Sequence, residues 1–150
     1  MPTACKSIDQ AGWLALREQL WPDCPRERHL SQMSALLASP SSFAQFVEYD
    51  ASNNPLGFVE VAVRYDYVNG TTTSPVAFLE GIYVAPEARM QGVARKLFAE
   101  AQGWAVGIGC TELASDALIE NMQSHAMHRA LGFEETERVV YFRRLLNSAS

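Results

Sequence analysis

One apolar run in this chain leads almost directly into a helical pattern. Residues 76–84 read Val-Ala-Phe-Leu-Glu-Gly-Ile-Tyr-Val, and such a run predicts a central strand. Pro86 closes the run, and from Gly92 to about Val106 the apolar residues recur at helical spacing. A strand that passes through a short turn into a helix, with another strand after it, predicts an α/β arrangement with parallel pairing and a right-handed crossover.

Hydrophobic periodicity predicts the remaining elements. Apolar residues recur at helical intervals before Pro40, and beyond it the period changes to two. In one strand Val59, Val61 and Val63 alternate with Glu60 and Arg64. The result is a mixed α/β sheet in the order ααβββαβαβ, antiparallel at first and parallel in its second half. The elements are helices at 8–20 and 25–39, strands at 43–49, 56–67 and 76–84, a helix at 92–106, a strand at 110–115, a helix at 119–131 and a strand at 136–146.

Composition and charge narrow the class of protein. The 150 residues fit one domain, and 48% apolar with 19% charged residues are typical of a globular protein. No apolar run reaches the ~18 residues that span a bilayer, and no secretory signal is visible, so a cytoplasmic protein is expected. Three widely spaced cysteines predict structural thiols and no metal site. The net charge of -5 argues against nucleic acid or an anionic membrane as the main partner.

The charges are unevenly distributed along the chain. Residues 41–88 contain six acids and a single base, Arg64. Arg89, Arg95 and Lys96 then follow within eight residues. An acidic segment followed by a basic turn suits a cationic substrate beside an anionic cofactor. A solvated surface with chance clustering is the alternative.

Residues 89–94 read Arg-Met-Gln-Gly-Val-Ala and connect the central strand to its helix. Gly92 and Ala94 keep bulky side chains out of the turn, so backbone N–H groups can converge on an anion at the positive end of the helix dipole. The motif is neither a Walker A loop nor GxGxxG. It predicts a pyrophosphate site, with an ordinary helix start as the alternative.

The order of strand, Arg-x-x-Gly-x-Ala, helix and strand, followed by Asn121 and Gly132-Phe133, resembles the GCN5-related N-acetyltransferase (GNAT) superfamily. The resemblance covers nearly the whole chain and implies a single GNAT acyl-CoA N-acyltransferase domain over residues 1–150. Within the superfamily, four longer segments resemble aminoglycoside 6'-N-acetyltransferases, which transfer acetyl from acetyl-CoA to the 6'-amine of an antibiotic and confer resistance. These segments are Tyr67–Gly70, Phe78–Val84, Ser115–Ala117 and Ser124–Phe133.

The resemblance implies where acetyl-CoA binds. In the superfamily the strand before the phosphate loop parts from the next parallel strand, and the pantetheine arm lies in the gap. Gly81 is the expected place of the distortion, because a glycine inside a strand often marks a bulge. The Val84 N–H is the expected donor to the thioester oxygen. The expected cofactor contacts are Ile82, Val84, Arg89, Met90, Gln91, Gly92, Val93, Ala94, Arg95 and Asn121.

Two acidic residues are expected to face the acceptor amine. Glu80 is the only charged residue in its apolar run, where an unpaired carboxylate is costly, so its partner is either a protein arginine or a substrate ammonium. Asp116 ends the neighbouring strand, where parallel sheets open their clefts, and an N-cap is the alternative. The resemblance implies that both residues hold and deprotonate the amine.

The reaction requires two proton transfers. An ammonium must lose its proton before it attacks a thioester, and a carboxylate can accept that proton directly or through water. The leaving thiolate then takes up a proton, which many family members supply from a tyrosine four residues before the Gly-Phe pair. His128 stands at that position here. The general acid is therefore His128, Tyr67, Tyr141 or solvent.

The resemblance also implies how the acceptor is held. Trp21 and Tyr67 lie at the sugar-binding cleft, where flat rings suit the apolar faces of aminocyclitols. In the acidic segment after Phe133, Glu135 and Glu137 add carboxylates for the remaining ammoniums. Related enzymes are commonly dimers, so a homodimer is expected. The alternatives are a GNAT enzyme for a polyamine or a protein N-terminus, and a module that binds CoA without catalysis.

Overall fold

The computed structural model describes residues 1–147. They fall into two compact units, Met1–Asp116 and a second that begins at Ala117. No helix within the described residues is long and apolar enough to cross a bilayer. The elements are β1 (Thr3–Ala4), α1 (Trp13–Leu20), α2 (Arg26–Leu37), β2 (Phe43–Tyr49), β3 (Pro55–Arg64), β4 (Val76–Val84), a 3-10 turn (Pro86–Ala88), α3 (Val93–Gly107), β5 (Leu113–Ala114) and, in the second unit, α4 (Met122–Ala130).

The first unit is built on one five-stranded mixed sheet in the order β1-β2-β3-β4-β5. The first three pairings are antiparallel, and β5 is parallel to β4. Parallel neighbours need a long crossover connection, which α3 provides. The predicted mixed α/β class and the change from antiparallel to parallel pairing are confirmed.

Strand β3 is buried on both faces although its sequence alternates. Residues 57–63 are all buried. A Cβ at Gly57 would contact Leu97 of α3, whereas the Glu60 carboxylate bonds to Trp13 of α1. Because positions 57 and 60 lie on opposite faces of a strand, α3 covers one face of the sheet and α1 the other. The alternation of valines with Glu60 therefore does not separate a core face from a solvent face.

The core between α1, α2 and the sheet is densely apolar. Burying each large side chain of this kind contributes roughly 1.5–3 kcal/mol. The core thus packs α1 against β3, which lies beside the strand of the candidate site, and packs α2 against α1 and β2. Its most buried members are Trp13, Leu16, Met33, Val47 and Phe58, each at most 2% exposed.

Both ends of the chain depart from the predicted order. Strand β1 was not predicted, because two residues carry no measurable period. Helix α1 begins at Trp13 rather than at residue 8, and in the preceding turn the Ser7 hydroxyl accepts from the Asp9 N–H. The predicted strand at 136–146 is wrong, since residues 133–147 contain neither helix nor strand. Their apolar residues, which have high strand propensity, have no partner strand within the described part of the second unit.

Candidate active site

Strand β4 carries one extra residue, Glu80. Glu60 of β3 pairs with Gly81, and the next residue of β3, Val61, pairs with Leu79. Glu80 therefore has no partner on β3, which is the definition of a β-bulge. The distortion expected at Gly81 lies immediately before that glycine.

Strands β4 and β5 part where the bulge begins. They pair only at Ala77 with Leu113 and at Phe78 with Ala114. One residue further on, the Ser115 hydroxyl lies 3.4 Å from the Leu79 carbonyl oxygen. Strand β5, predicted over residues 110–115, ends at Ala114. In the described part of the first unit, no strand lies beside residues 82–84 on this edge of β4.

Backbone polar groups of Ile82 and Val84 point to this parted edge. The Ala85 N–H donates to the Leu56 carbonyl at 2.8 Å, which makes those two residues a hydrogen-bonded pair of the antiparallel ladder. Such pairs alternate with pairs that are not hydrogen-bonded, so Val84 and Ile82 direct their N–H and C=O groups away from β3. Consistent with this direction, the Val84 carbonyl accepts from Arg89 Nε at 3.0 Å.

The turn between the 3-10 segment and α3 has a backbone suited to an anion. Met90 has φ 64° and Gly92 has φ 81°, both left-handed. Successive N–H groups in such turns form an anion-binding concavity. No side chain of the described residues caps α3, so the N–H groups of residues 93–95 are available at the positive end of its dipole. The pyrophosphate site predicted from Arg-x-x-Gly-x-Ala falls on this turn and stays a prediction.

The Glu80 carboxylate is paired with Arg64. Arg64 Nη2 lies 2.8 Å from Glu80 Oε1, and the side chains are 42% and 34% exposed. The guanidinium carbon also lies 3.6 Å from the centroid of the Phe78 ring. Of the two partners considered for Glu80, the structure shows the arginine. Because exposed pairs contribute only about 0–1 kcal/mol, a substrate ammonium can compete with this arginine.

Asp116 follows β5 at the same edge as Glu80. Phe78 and Ala114 are the last paired residues of the two strands, and Glu80 and Asp116 each follow two residues later along the chain. The Asp116 side chain is exposed. Asn121, rather than Asp116, caps α4, so the N-cap alternative for Asp116 is wrong.

Trp21 lies against the bulge. A Cβ added at Gly81 would lie 2.7 Å from two carbons of the Trp21 ring, so only glycine leaves room for the ring there. The ring also meets Phe58 edge-on, with centroids 5.8 Å apart. The structure thus places the Trp21 ring against Gly81, the residue after Glu80, and the substrate role of Trp21 stays a prediction.

Tyr67 lies on the loop between β3 and β4 and is 75% exposed. Glu112, which precedes β5, ties this loop down: its Oε1 accepts from the Thr72 N–H at 2.9 Å and from the Thr73 N–H at 2.7 Å. Hydrogen bonds from the Thr73 hydroxyl and the Thr72 N–H lower the pKa of the Glu112 carboxyl. Glu112 therefore holds the loop that carries Tyr67.

Two predicted residues lie on α4 in the second unit. Asn121 Oδ1 accepts from the Ser124 N–H at 3.1 Å and caps the helix. His128 Nδ1 lies 2.7 Å from the Ser124 carbonyl oxygen, which can only accept, so Nδ1 carries the proton. The His128 ring packs edge-on against Phe133, with centroids 5.1 Å apart.

The acidic segment of the second unit is exposed. Glu135 accepts from Arg138 Nε at 2.6 Å, and this hydrogen bond lowers the pKa of the Glu135 carboxyl. Glu137 is exposed, and so is Tyr141, whose side chain is 80% accessible. Glu135 therefore already has a cationic partner within its own segment.

Arg64 and Glu112 were not predicted as members of the site. Arg64 left a signal, since it is the single base among the acids of residues 41–88. No sequence pattern indicates the role of Glu112, because its partners are backbone N–H groups of a loop about forty residues away. The buried polar group behind Trp21, formed by Arg17, His29 and Glu60, was also missed.

The sequence profile described as the Acetyltransferase (GNAT) family matches residues 13–133. This match covers most of the chain, and the chain belongs to the GNAT family. The predicted family and the GNAT fold are therefore confirmed.

Individual relatives make the comparison more specific. The chain is 52% identical over 134 residues to the aminoglycoside N(6')-acetyltransferase type 1 of Acinetobacter genomosp. 13, covering 89% of this chain and 90% of that protein. It is 51% identical over 146 residues to the protein of that name from Serratia marcescens, covering 97% and 99%.

Two solved structures are similar along almost their whole length. One is the apo aminoglycoside antibiotic 6'-N-acetyltransferase AAC(6')-IG from Acinetobacter haemolyticus, with TM-score 0.91, 44% identity and coverage of 98% of this chain and 99% of that chain. The other is AAC(6')-Iy in complex with the bisubstrate analog CoA-S-monomethyl-acetylneamine, with TM-score 0.90, 41% identity and coverage of 97% and 98%.

Proposed function

We propose that this chain transfers the acetyl group of acetyl-CoA to the 6'-amino group of aminoglycoside antibiotics. The observation that carries the proposal is the parted edge of β4, where a bulge presents Glu80, backbone groups of Ile82 and Val84 point outward, and Asp116 follows the neighbouring strand. Relatives with 52% and 51% identity bear the name of this activity, and a similar structure holds a CoA bisubstrate analog.

The residues along this edge fit acetyl-CoA. The outward N–H and C=O groups of Ile82 and Val84 can bond to the amides of a pantetheine arm as they would to a strand. The turn at 89–95, with Arg89, Met90, Gln91, Gly92, Val93, Ala94 and Arg95, binds the pyrophosphate through its N–H groups. The Val84 N–H donates to the thioester oxygen, where negative charge develops. Asn121 adds a contact from α4.

The acceptor amine arrives as an ammonium and must be deprotonated. Glu80 and Asp116 hold it electrostatically, and one of them accepts its proton directly or through water. The nitrogen then bonds to the carbonyl carbon, the C–S bond breaks, and CoA leaves as a thiolate. The nitrogen, which carries a positive charge after the attack, releases its second proton to solvent. The thiolate takes a proton from His128, Tyr67, Tyr141 or solvent. The products are a neutral amide and CoA.

Several properties of the protein follow from this proposal. Trp21 and Tyr67 contact the sugar rings, and Glu135 and Glu137 contact further ammoniums. The whole chain, residues 1–150, acts as one GNAT domain in the cytoplasm, without nucleic acid or membrane as a partner. Acetylation removes a positive charge that the drug uses to bind ribosomal RNA, so the activity confers resistance.

We also infer a homodimer formed through residues 134–147. We expect a second copy of this chain to cover the segment, because related enzymes of this type are commonly dimers and because the segment exposes apolar residues that are close in sequence. Contiguous exposed apolar patches mark interaction sites. The exposed side chains are Val139, Val140, Tyr141, Phe142, Leu145 and Leu146.

A panel of acceptors tests the proposed activity. Release of free CoA thiol is followed while only the acceptor is changed, from aminoglycosides to polyamines to peptides. We expect turnover with aminoglycosides that have a 6'-amine. Turnover with polyamines or peptides alone would identify a different GNAT enzyme, and CoA binding without any acceptor would identify a binding module.

A further inference from the structure

A buried ion pair lies behind the candidate site. Arg17 of α1 and Glu60 of β3 are 2% and 4% exposed, and Arg17 Nη1 lies 2.6 and 2.5 Å from the two carboxylate oxygens. The Trp13 indole N–H donates to the same carboxylate at 2.9 Å. A buried pair is weak evidence for stability, since apolar residues of similar volume often serve as well. A role in positioning other groups would account for it.

His29 of α2 extends the pair toward the site. It is fully buried, and its Nδ1 lies 3.2 Å from Arg17 Nε, which can only donate. Nδ1 therefore accepts, and Nε2 carries the proton. Nε2 lies 3.2 Å from the Trp21 carbonyl oxygen and donates to it. His29 thus connects a buried cation to the backbone of Trp21.

The same two residues also contact the Trp21 ring. The Arg17 guanidinium carbon lies 4.9 Å from the ring centroid, and the His29 ring stacks on it with centroids 6.5 Å apart and a 28° interplanar angle. The ring edge then abuts Gly81, next to Glu80. The contacts therefore run from Glu60 of β3 through Arg17, His29 and Trp21 to the bulge of β4.

We propose that Arg17 and His29 are positioning residues that hold the Trp21 ring against the bulge and thereby set the shape of the acceptor site. This inference rests on the proposed function, because Trp21 is the wall that contacts the sugar rings. Both residues act on the acceptor site through Trp21. Their loss therefore weakens aminoglycoside binding and leaves the acetyl-CoA site unchanged.

Substitutions at His29 provide the kinetic test. In His29→Leu we expect the aminoglycoside KM to rise about tenfold, since a displaced binding group costs affinity steeply, with the acetyl-CoA KM unchanged. In His29→Gln the amide can still donate to Trp21 and accept from Arg17, so KM should return toward wild type. An unchanged aminoglycoside KM in His29→Leu, equal rises in both KM values, or no recovery in His29→Gln would overturn the inference.

Two further variants separate positioning from stability. Met33→Ala removes a fully buried side chain from the same helix and should lower the unfolding temperature without changing the aminoglycoside KM. Gly81→Ala displaces the Trp21 ring and leaves Arg17 and His29 intact, so it should raise the aminoglycoside KM even if His29→Leu does not fold. A raised aminoglycoside KM in Met33→Ala, or an unchanged one in Gly81→Ala, would contradict the inference.

A readout without turnover distinguishes this inference from the proposed function. The protein is labelled with 5-fluorotryptophan, and the ¹⁹F resonance of Trp21 is assigned with Trp21→Phe. We expect this resonance to shift or broaden in His29→Leu, to recover in His29→Gln and to stay unchanged in Met33→Ala. An unaltered resonance in His29→Leu would refute positioning even if the wild-type enzyme acetylates aminoglycosides, whereas a shifted resonance in a protein inactive on aminoglycosides would refute only the proposed substrate.

Discussion

At the scale of single residues, Arg64 occupies the place beside Glu80 where a substrate ammonium is expected. Removing this competing cation in Arg64→Gln should lower the aminoglycoside KM by about two- to fivefold, the range that corresponds to an exposed pair of up to about 1 kcal/mol. Steady-state kinetics measure this change. Arg26→Gln, which breaks the exposed pair with Glu18, is the matched control. A higher KM in Arg64→Gln would mean that Arg64 orients Glu80 instead.

Neutralising Asp116 or Glu80 should impair activity, whereas neutralising another surface acid should not. Asp116→Asn should reduce kcat by roughly 10²–10⁴-fold if Asp116 is the base, and Glu80→Gln should raise the aminoglycoside KM about tenfold through loss of a charge-assisted contact. CoA binding, measured by calorimetry, should stay unchanged in both variants. Glu27→Gln, an exposed change on α2, controls for net charge. Full activity in both site variants would exclude the proposed proton transfer.

At the scale of elements, the start of α3 depends on a left-handed residue. Gly92 has φ 81°, and a methyl group added there would meet open space, so Gly92→Ala acts through backbone strain of about 1–2 kcal/mol rather than through a clash. We expect weaker CoA binding, by about tenfold, measured by calorimetry. Gly103, inside the same helix and also in open space, is the control, and Gly103→Ala should stabilise the protein by about 0.4–1 kcal/mol. Unchanged CoA affinity in Gly92→Ala would argue against the anion site.

The local stability of the loop that carries Tyr67 should depend on pH, because the loop is hydrogen-bonded to the Glu112 carboxylate. The pKa of this carboxyl is lowered from its ordinary 4.5, so its contribution is complete above that value and is lost as the pH falls through the lower folded-state pKa. We expect the amide protons of Thr72 and Thr73 to lose hydrogen-exchange protection in that acidic range. In Glu112→Gln protection should be weaker at all pH values and should not titrate. A wild-type profile that matches the variant would contradict this role.

Sequence periodicity predicted the elements that carry the site. It failed where burial or strand pairing depends on residues that are distant in the sequence. Strand β4 was predicted with its observed bounds because nine residues of nearly unbroken apolar character need two covered faces. The Arg-x-x-Gly-x-Ala turn was predicted because its constraint is local. The buried position of Glu60 was not, since alternation in β3 suggests one polar face and only α1 supplies the partners that permit burial. The strand at 136–146 failed because strand propensity cannot supply a neighbouring strand.

At the scale of the whole molecule, the proposed dimer has a direct test. Phe142 and Leu146 are both 92% exposed, and placing charge there should prevent association through residues 134–147. Light scattering after size exclusion should give twice the 16.6 kDa chain mass for the wild type and one chain mass for the double variant Phe142→Glu, Leu146→Glu. A monomeric wild-type protein would exclude the dimer.

If the parted edge of β4 delivers acetyl to a 6'-amine, two drugs that differ only in that amine should behave differently as substrates. Neomycin and paromomycin differ only at C6', where the first has an amine and the second a hydroxyl. With purified protein and acetyl-CoA, we expect a singly acetylated neomycin, with NMR placing the acetyl on the 6'-nitrogen, and no turnover of paromomycin. Equal acetylation of both drugs, or acetylation of neither, would contradict the proposed function.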